Sequence, residues 1–100
     1  MTTSHRTGPV GLGIIGAGTI SVEYLTNLTS FPDVDVRIIG DLFPDAAQHR
    51  AEEFGIPASG TAQDVLDHPE VEIVINLTVP VAHAEVSRAI IAAGKHVWTE

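Results

Sequence analysis

The chain contains no cysteine, which removes disulfides, thiolate metal sites and cysteine nucleophiles from consideration. Basic residues are few: Arg6, Arg37, Arg50, Arg88 and Lys95 stand against 13 acidic side chains, for a formal net charge of -8. Spread singly along 100 residues, they form no patch that would displace counterions from a nucleic acid or hold an anionic membrane. No nucleic-acid or membrane partner is therefore expected. No apolar run is long enough to span a bilayer, and residues 1–8 hold no apolar core of a secretory signal. Residues 1–9 are expected to be a disordered polar tail, and the protein cytoplasmic.

What is present reads as one globular domain over residues 10–100. Hydrophobic residues make up 44% and charged ones 18%, a composition that supports a core. Val10 to Ile15 is a short β-branched run, as expected of a strand buried on both faces. A helix is predicted from Thr19 to Leu28, facing inward through Ile20, Tyr24, Leu25 and Leu28. Val34, Val36, Ile38 and Ile39 predict a second strand. Pro44 opens a second helix, with Ala47, Ala51 and Phe54 inward, and Gly55 stops it. A short third strand is expected at Ile56-Pro57-Ala58. Thr61 and Asp64 cap a brief helix. Val71 to Leu77 reads as a buried strand, Val81 to Ala93 as a helix and His96 to Thr99 as a fifth strand. This alternation predicts an α/β fold: a doubly wound parallel sheet of strand order 3-2-1-4-5 with right-handed crossovers.

The stretch "VGLGIIGAGTIS", residues 10–21, carries two overlapping glycine patterns. Gly11, Gly13 and Gly16 form a literal G-x-G-x-x-G, but the first two lie inside the predicted strand, where backbone amides are committed to the ladder. Gly16, Gly18 and Ser21 form an imperfect copy at the strand-to-helix turn. There, free amides and the helix dipole favour a phosphate. Gly16 would permit the tight turn, Gly18 the close approach of a pyrophosphate, and Ser21 close helix packing. Thr19 and Ile20 would offer amides, and Thr19 its hydroxyl.

Asp41 ends the second strand, roughly 20 residues beyond that turn, where a carboxylate accepts from the adenine ribose hydroxyls. The simpler alternative is that Asp41 only caps the turn before Pro44. Leu42 and Phe43 beside it offer no charge to a 2′-phosphate, so NAD is expected in preference to NADP.

With these motifs the chain resembles the glucose–fructose oxidoreductase/inositol dehydrogenase (Gfo/Idh/MocA) family. "GIIGAGTIS" resembles its nucleotide-binding turn, "DLFPDAAQHRAEEFGIPA" its second helix region, and "AAGKHVWTE" the approach to its E-K-P motif. The resemblance implies a Rossmann-type fold and cofactor contacts from Gly16, Gly18 and Asp41, with Leu42 adjoining. Thr78 and His83 match the family's T-P-N-x-x-H stretch. Here Val79-Pro80 replaces Pro-Asn, so Pro80 stands at the asparagine position. Glu100 matches the glutamate of E-K-P, near the nicotinamide ribose. The motif's lysine and the family's C-terminal α/β domain, source of its catalytic residues, are expected beyond residue 100.

The implied function is an NAD(P)-dependent oxidoreductase. It would transfer hydride between nicotinamide and a hydroxyl-bearing carbon of a sugar, inositol or related polyol. These 100 residues alone would be inactive. The alternative is a non-catalytic NAD-binding sensor or partner-docking module. No catalytic set can be assembled from the residues present, and His5, His49, His68 and His96 lack metal-ligand spacing. Trp98 is expected to pack on the last strand. The uncovered edge of that strand predicts a homo-oligomer.

Overall fold

Strand and helix alternate without interruption in the computed structural model, which describes residues 9–99. The expected tail, up to residue 8, lies outside the described residues, as does Glu100. The elements are β1 (Val10–Ile15), α1 (Thr19–Leu28), β2 (Val34–Gly40), α2 (Pro44–Phe54), β3 (Ser59–Gly60), α3 (Ala62–Asp67), β4 (Ile73–Asn76), α4 (Pro80–Ala92) and β5 (His96–Thr99). The five strands form one sheet in the order β3-β2-β1-β4-β5, and every pairing is parallel.

Alternation along β1 sends Leu12 and Ile14 to one face and Ile15 to the other. The first face packs on Leu25 of α1 and on Ala47 and Ala51 of α2. The second packs on Val65 of α3 and Ile90 of α4. Each fully buried Val, Leu or Ile among these contributes about 1.5–3 kcal/mol. Local signals fix the helix ends. Pro44 and Pro80 start α2 and α4, Gly55 stops α2 at φ 71°, and Thr61 with Asp64 closes a capping box on α3.

Several details depart from the sequence expectation. Strand β3 falls at Ser59–Gly60 rather than Ile56–Ala58, because Ile56 is tied back to the Ala51 carbonyl at 2.9 Å and Pro57 has no N–H to give a ladder. The β1–β2 register shifts between Leu12 and Gly13. This bulge puts Val36 and Ile39 on one face and Ile38 on the other, so simple alternation fails there. Strand β4 is shorter than its apolar run, although Glu72 and Leu77 still donate to Gly11 and Ile15 at 2.9 and 2.8 Å. Ile20 does not face the core and is 43% exposed. Trp98 is 59% exposed, since no helix among the described residues covers β5 on the α1 side. It borders an apolar groove of about 430 Å³ with Tyr24, Leu28 and Phe31.

Candidate functional site

The carboxyl ends of β1, β2 and β4 finish level: Ile15 pairs with Gly40 on one side and Asn76 on the other. From there the chain enters α1 on one face and α4 on the opposite face. Divergence of this kind opens a crevice at the strand ends, the usual ligand position in open α/β sheets.

The two glycine patterns separate by what a β-carbon would meet. At Gly11 it would run into the Glu70 carbonyl, and at Gly13 it would lie 2.6 Å from Val65 Cγ1 and 3.1 Å from Val71 Cγ1. These two are packing glycines inside the sheet. Gly16 has φ 117°, and a β-carbon there would sit 2.7 Å from the Leu77 carbonyl oxygen. Both conformation and space therefore demand glycine at this turn.

Gly18 is different. Its φ of -73° and ψ of -169° are open to any residue, and a β-carbon would meet nothing within 4 Å. Nothing in the fold itself requires glycine there, and the vacant space faces the start of α1. Among the described residues, the N–H groups of Gly18, Thr19 and Ile20 donate to no protein acceptor. The α1 N-terminus also lacks a side-chain cap and an acidic first turn. No group among the described residues occupies its positive end, as an anion seat requires. The residues present thus fit a bound pyrophosphate.

Ser21 at the third position is fully buried. Its hydroxyl donates to the Gly18 carbonyl at 2.6 Å and accepts from Arg50 Nε at 3.1 Å. Arg50 Nη1 in turn pairs with Glu53 Oε1 at 2.9 Å. The sequence reading missed Arg50, which no motif marks.

Asp41 follows β2 directly. Its Oδ1 accepts the Ala17 N–H at 2.8 Å, and its Oδ2 accepts the Phe43 N–H at 2.9 Å. The carboxylate therefore caps its own turn and also leans against the glycine turn. One further lone-pair direction per oxygen remains for ligand hydroxyls. Asp41, Leu42, Gly16, Gly18 and Thr78 line a cleft of about 250 Å³. A second cleft of about 540 Å³ is lined by Ile20, Thr78, Pro80 and His83, over Asn76. Leu77 and Thr78 border both, so the two clefts adjoin across that loop. Thr19 opens α1 but lines neither cleft.

Asn76 escaped the sequence reading, although an asparagine ending the apolar run Ile73-Val74-Ile75 is a signal in itself. It is wholly buried and fully hydrogen-bonded. Its Nδ2 donates to the His83 carbonyl and to Ser87 Oγ, each at 2.9 Å. Its Oδ1 accepts from the Thr78 N–H at 3.1 Å and the Thr78 hydroxyl at 2.6 Å. No described helix is long and apolar enough to cross a membrane.

The chain is similar to known proteins. The inositol 2-dehydrogenase/D-chiro-inositol 3-dehydrogenase of Lactiplantibacillus plantarum is 33% identical over 92 residues, 89% of this chain and 26% of the relative. A 3-ketoreductase from Actinomadura kijaniata, solved with NADP and TDP-benzene, superposes with a TM-score of 0.86 at 29% identity, covering 92% of this chain and 29% of that one. A protein of gentamicin A biosynthesis, solved with NAD, gives a TM-score of 0.84 at 26% identity, covering 99% and 28%. The chain thus spans somewhat over a quarter of the length of its relatives. Residues 10–100 match the Gfo/Idh/MocA model, described as an oxidoreductase family with an NAD-binding Rossmann fold, and the chain belongs to that family.

Proposed function

We propose that residues 10–100 form the dinucleotide-binding domain of an NAD-dependent oxidoreductase. The whole protein would move hydride between nicotinamide and a hydroxyl-bearing carbon of a sugar, inositol or related polyol. The observation that carries this reading is the Asp41 carboxylate held 2.8 Å from the Ala17 N–H, which sets a hydroxyl acceptor beside an amide-rich turn. In this reading Gly16 shapes the turn, Gly18 leaves room for the pyrophosphate, and Thr19 and Ile20 donate amides to it. Asp41 receives the adenine ribose hydroxyls, with Leu42 alongside. Thr78, Pro80 and His83 border the nicotinamide half, and the resemblance to the E-K-P motif adds Glu100, which lies outside the described residues, as a cofactor contact.

The bound cofactor supplies the hydride chemistry, while the protein's residues bind and orient it. NAD is favoured over NADP because, among the described residues, no basic side chain lines the Asp41 cleft. A phosphate charge about 5 Å from the Asp41 carboxylate would meet roughly 3 kcal/mol of repulsion per unit charge at an effective dielectric of about 20. The polyol substrate class is supported by the inositol dehydrogenases among the relatives. Since this chain covers 26–28% of those enzymes, turnover is proposed for the whole protein, and these residues alone would bind nucleotide without oxidising anything. Homo-oligomerisation is proposed from the open edge of β5 and the exposed Trp98.

Calorimetric titration with NAD and NADP tests the reading. Saturable NAD binding with weaker NADP binding is expected. No saturable binding of either by demonstrably folded protein would overturn it.

A further inference from the structure

Asn76 does more than fill a buried position. We infer that it is a positioning residue that fixes the Thr78 hydroxyl as a hydrogen-bond acceptor toward the crevice, and so selects a donor group from the nicotinamide half of the dinucleotide. The inference rests on the dinucleotide reading above.

The orientation of the Asn76 amide is determined by backbone groups. The Thr78 N–H, 3.1 Å away, needs an acceptor, and the His83 carbonyl, 2.9 Å away, needs a donor. Flipping the amide would set donor against donor and acceptor against acceptor, so Oδ1 must face Thr78. The Thr78 hydroxyl lies 2.6 Å from that same oxygen. Oδ1 offers only lone pairs, so the hydroxyl must spend its single proton there. What Thr78 Oγ1 then presents to the crevice is lone pairs alone.

A lone-pair face repels the oxygens of a phosphate. It attracts the N–H of a carboxamide or the O–H of a ribose. Thr78 borders both clefts, so the group it receives is the one leaving the pyrophosphate for the Ile20 and His83 side. Nδ2 meanwhile ties the His83 carbonyl and the Ser87 hydroxyl of α4 to the end of β4. The amide therefore holds Thr78 and the first turns of α4 as one unit. Its complete burial keeps water from competing for any of the four hydrogen bonds.

The test compares NAD with ADP, which ends at the pyrophosphate, by calorimetry on the full 100-residue chain. The parent should bind NAD more tightly than ADP. Asn76→Ala should shrink that advantage by about fivefold, the worth of one hydrogen bond, with ADP affinity little changed. Thr78→Val should do the same, and Thr78→Ser should restore the parent ratio. In the Thr78→Val background, adding Asn76→Ala should change the ratio no further.

Equal weakening of NAD and ADP by Asn76→Ala would reduce Asn76 to a structural role and overturn the inference. So would an unchanged ratio in Thr78→Val, a variant that tests the point even if Asn76→Ala fails to fold. A parent that binds ADP as tightly as NAD would overturn this inference while leaving nucleotide binding intact. A folded parent that binds neither would overturn the dinucleotide reading and this inference with it.

Discussion

Alanine at Gly18 and alanine at Gly16 should have opposite consequences, although the two residues belong to one turn. At Gly18 the backbone angles suit alanine and the added methyl meets nothing within 4 Å. Alanine restricts the unfolded chain, worth about 0.4–1 kcal/mol in favour of folding. It is also a poorer N-cap than glycine, by an amount of about the same size. The two terms oppose each other, so the melting temperature should stay within about 5 °C of the parent. NAD binding should nevertheless fall at least about tenfold, because the methyl fills the space a pyrophosphate needs. At Gly16 the φ of 117° and a 2.7 Å approach to the Leu77 oxygen penalise alanine in the folded state. Strain of about 1–3 kcal/mol plus a comparable cost for moving the Leu77 backbone should lower the melting temperature by about 10 °C or more. Thermal melts followed by circular dichroism, with calorimetric NAD titration of each variant, read both effects. Gly18→Ala binding NAD with parental affinity would refute the pyrophosphate seat, whatever its stability.

Three further outcomes are expected. Asp41→Ala should weaken NAD by about tenfold or more while NADP is unchanged or improved, since it removes a charged acceptor worth about 1.5–3 kcal/mol per hydrogen bond; an unchanged NAD-to-NADP ratio in the same titrations would refute the ribose role. Ser21→Gly, which completes a literal fingerprint, should destabilise the fold by about 2 kcal/mol through lost hydrogen bonds to Gly18 and Arg50 and a glycine within α1; urea unfolding measures it, and equal or greater stability would contradict the assignment. Light scattering should show concentration-dependent self-association through the β5 edge and the groove at Trp98, and a stable monomer at high concentration would count against it.

The order of elements and the sheet topology were legible because short β-branched runs, proline starts and glycine stops are local signals. Residues Thr19 to Leu28, Pro44 and Gly55 behave as local chemistry dictates. The failures arose where tertiary packing decides. The β1–β2 bulge cannot be read from β2 alone, because its cause is the pairing with β1. Ile20 sits at core-like helical spacing, yet it belongs to the first turn of α1, past the carboxyl end of β1, and overlooks a cleft instead. Trp98 was expected to pack, but the helix face that would cover it is not among the described residues. Asn76 carries a sequence signal as a polar end to an apolar run, but its four hydrogen bonds, spread over Thr78, His83 and Ser87, depend on how α4 packs on β4 and cannot be read from spacing.

The glycine-rich stretch shows why spacing alone misleads. Gly11 and Gly13 are demanded by neighbours from the Glu70 to Val71 segment and from α3 that press on β1. Gly16 is demanded by its own backbone angle and by the β4–α4 loop. Of the four, Gly18 alone is demanded by nothing among the described residues. A residue that the fold would allow to be larger, at a helix start whose amides have no acceptor among the described residues, is what the proposed pyrophosphate seat calls for. The imperfect fingerprint is therefore the informative one, and its informative glycine is the one that packs against nothing. The same logic applies to Asn76: the fold satisfies every one of its polar atoms, and in doing so leaves Thr78 with lone pairs that the fold leaves unused.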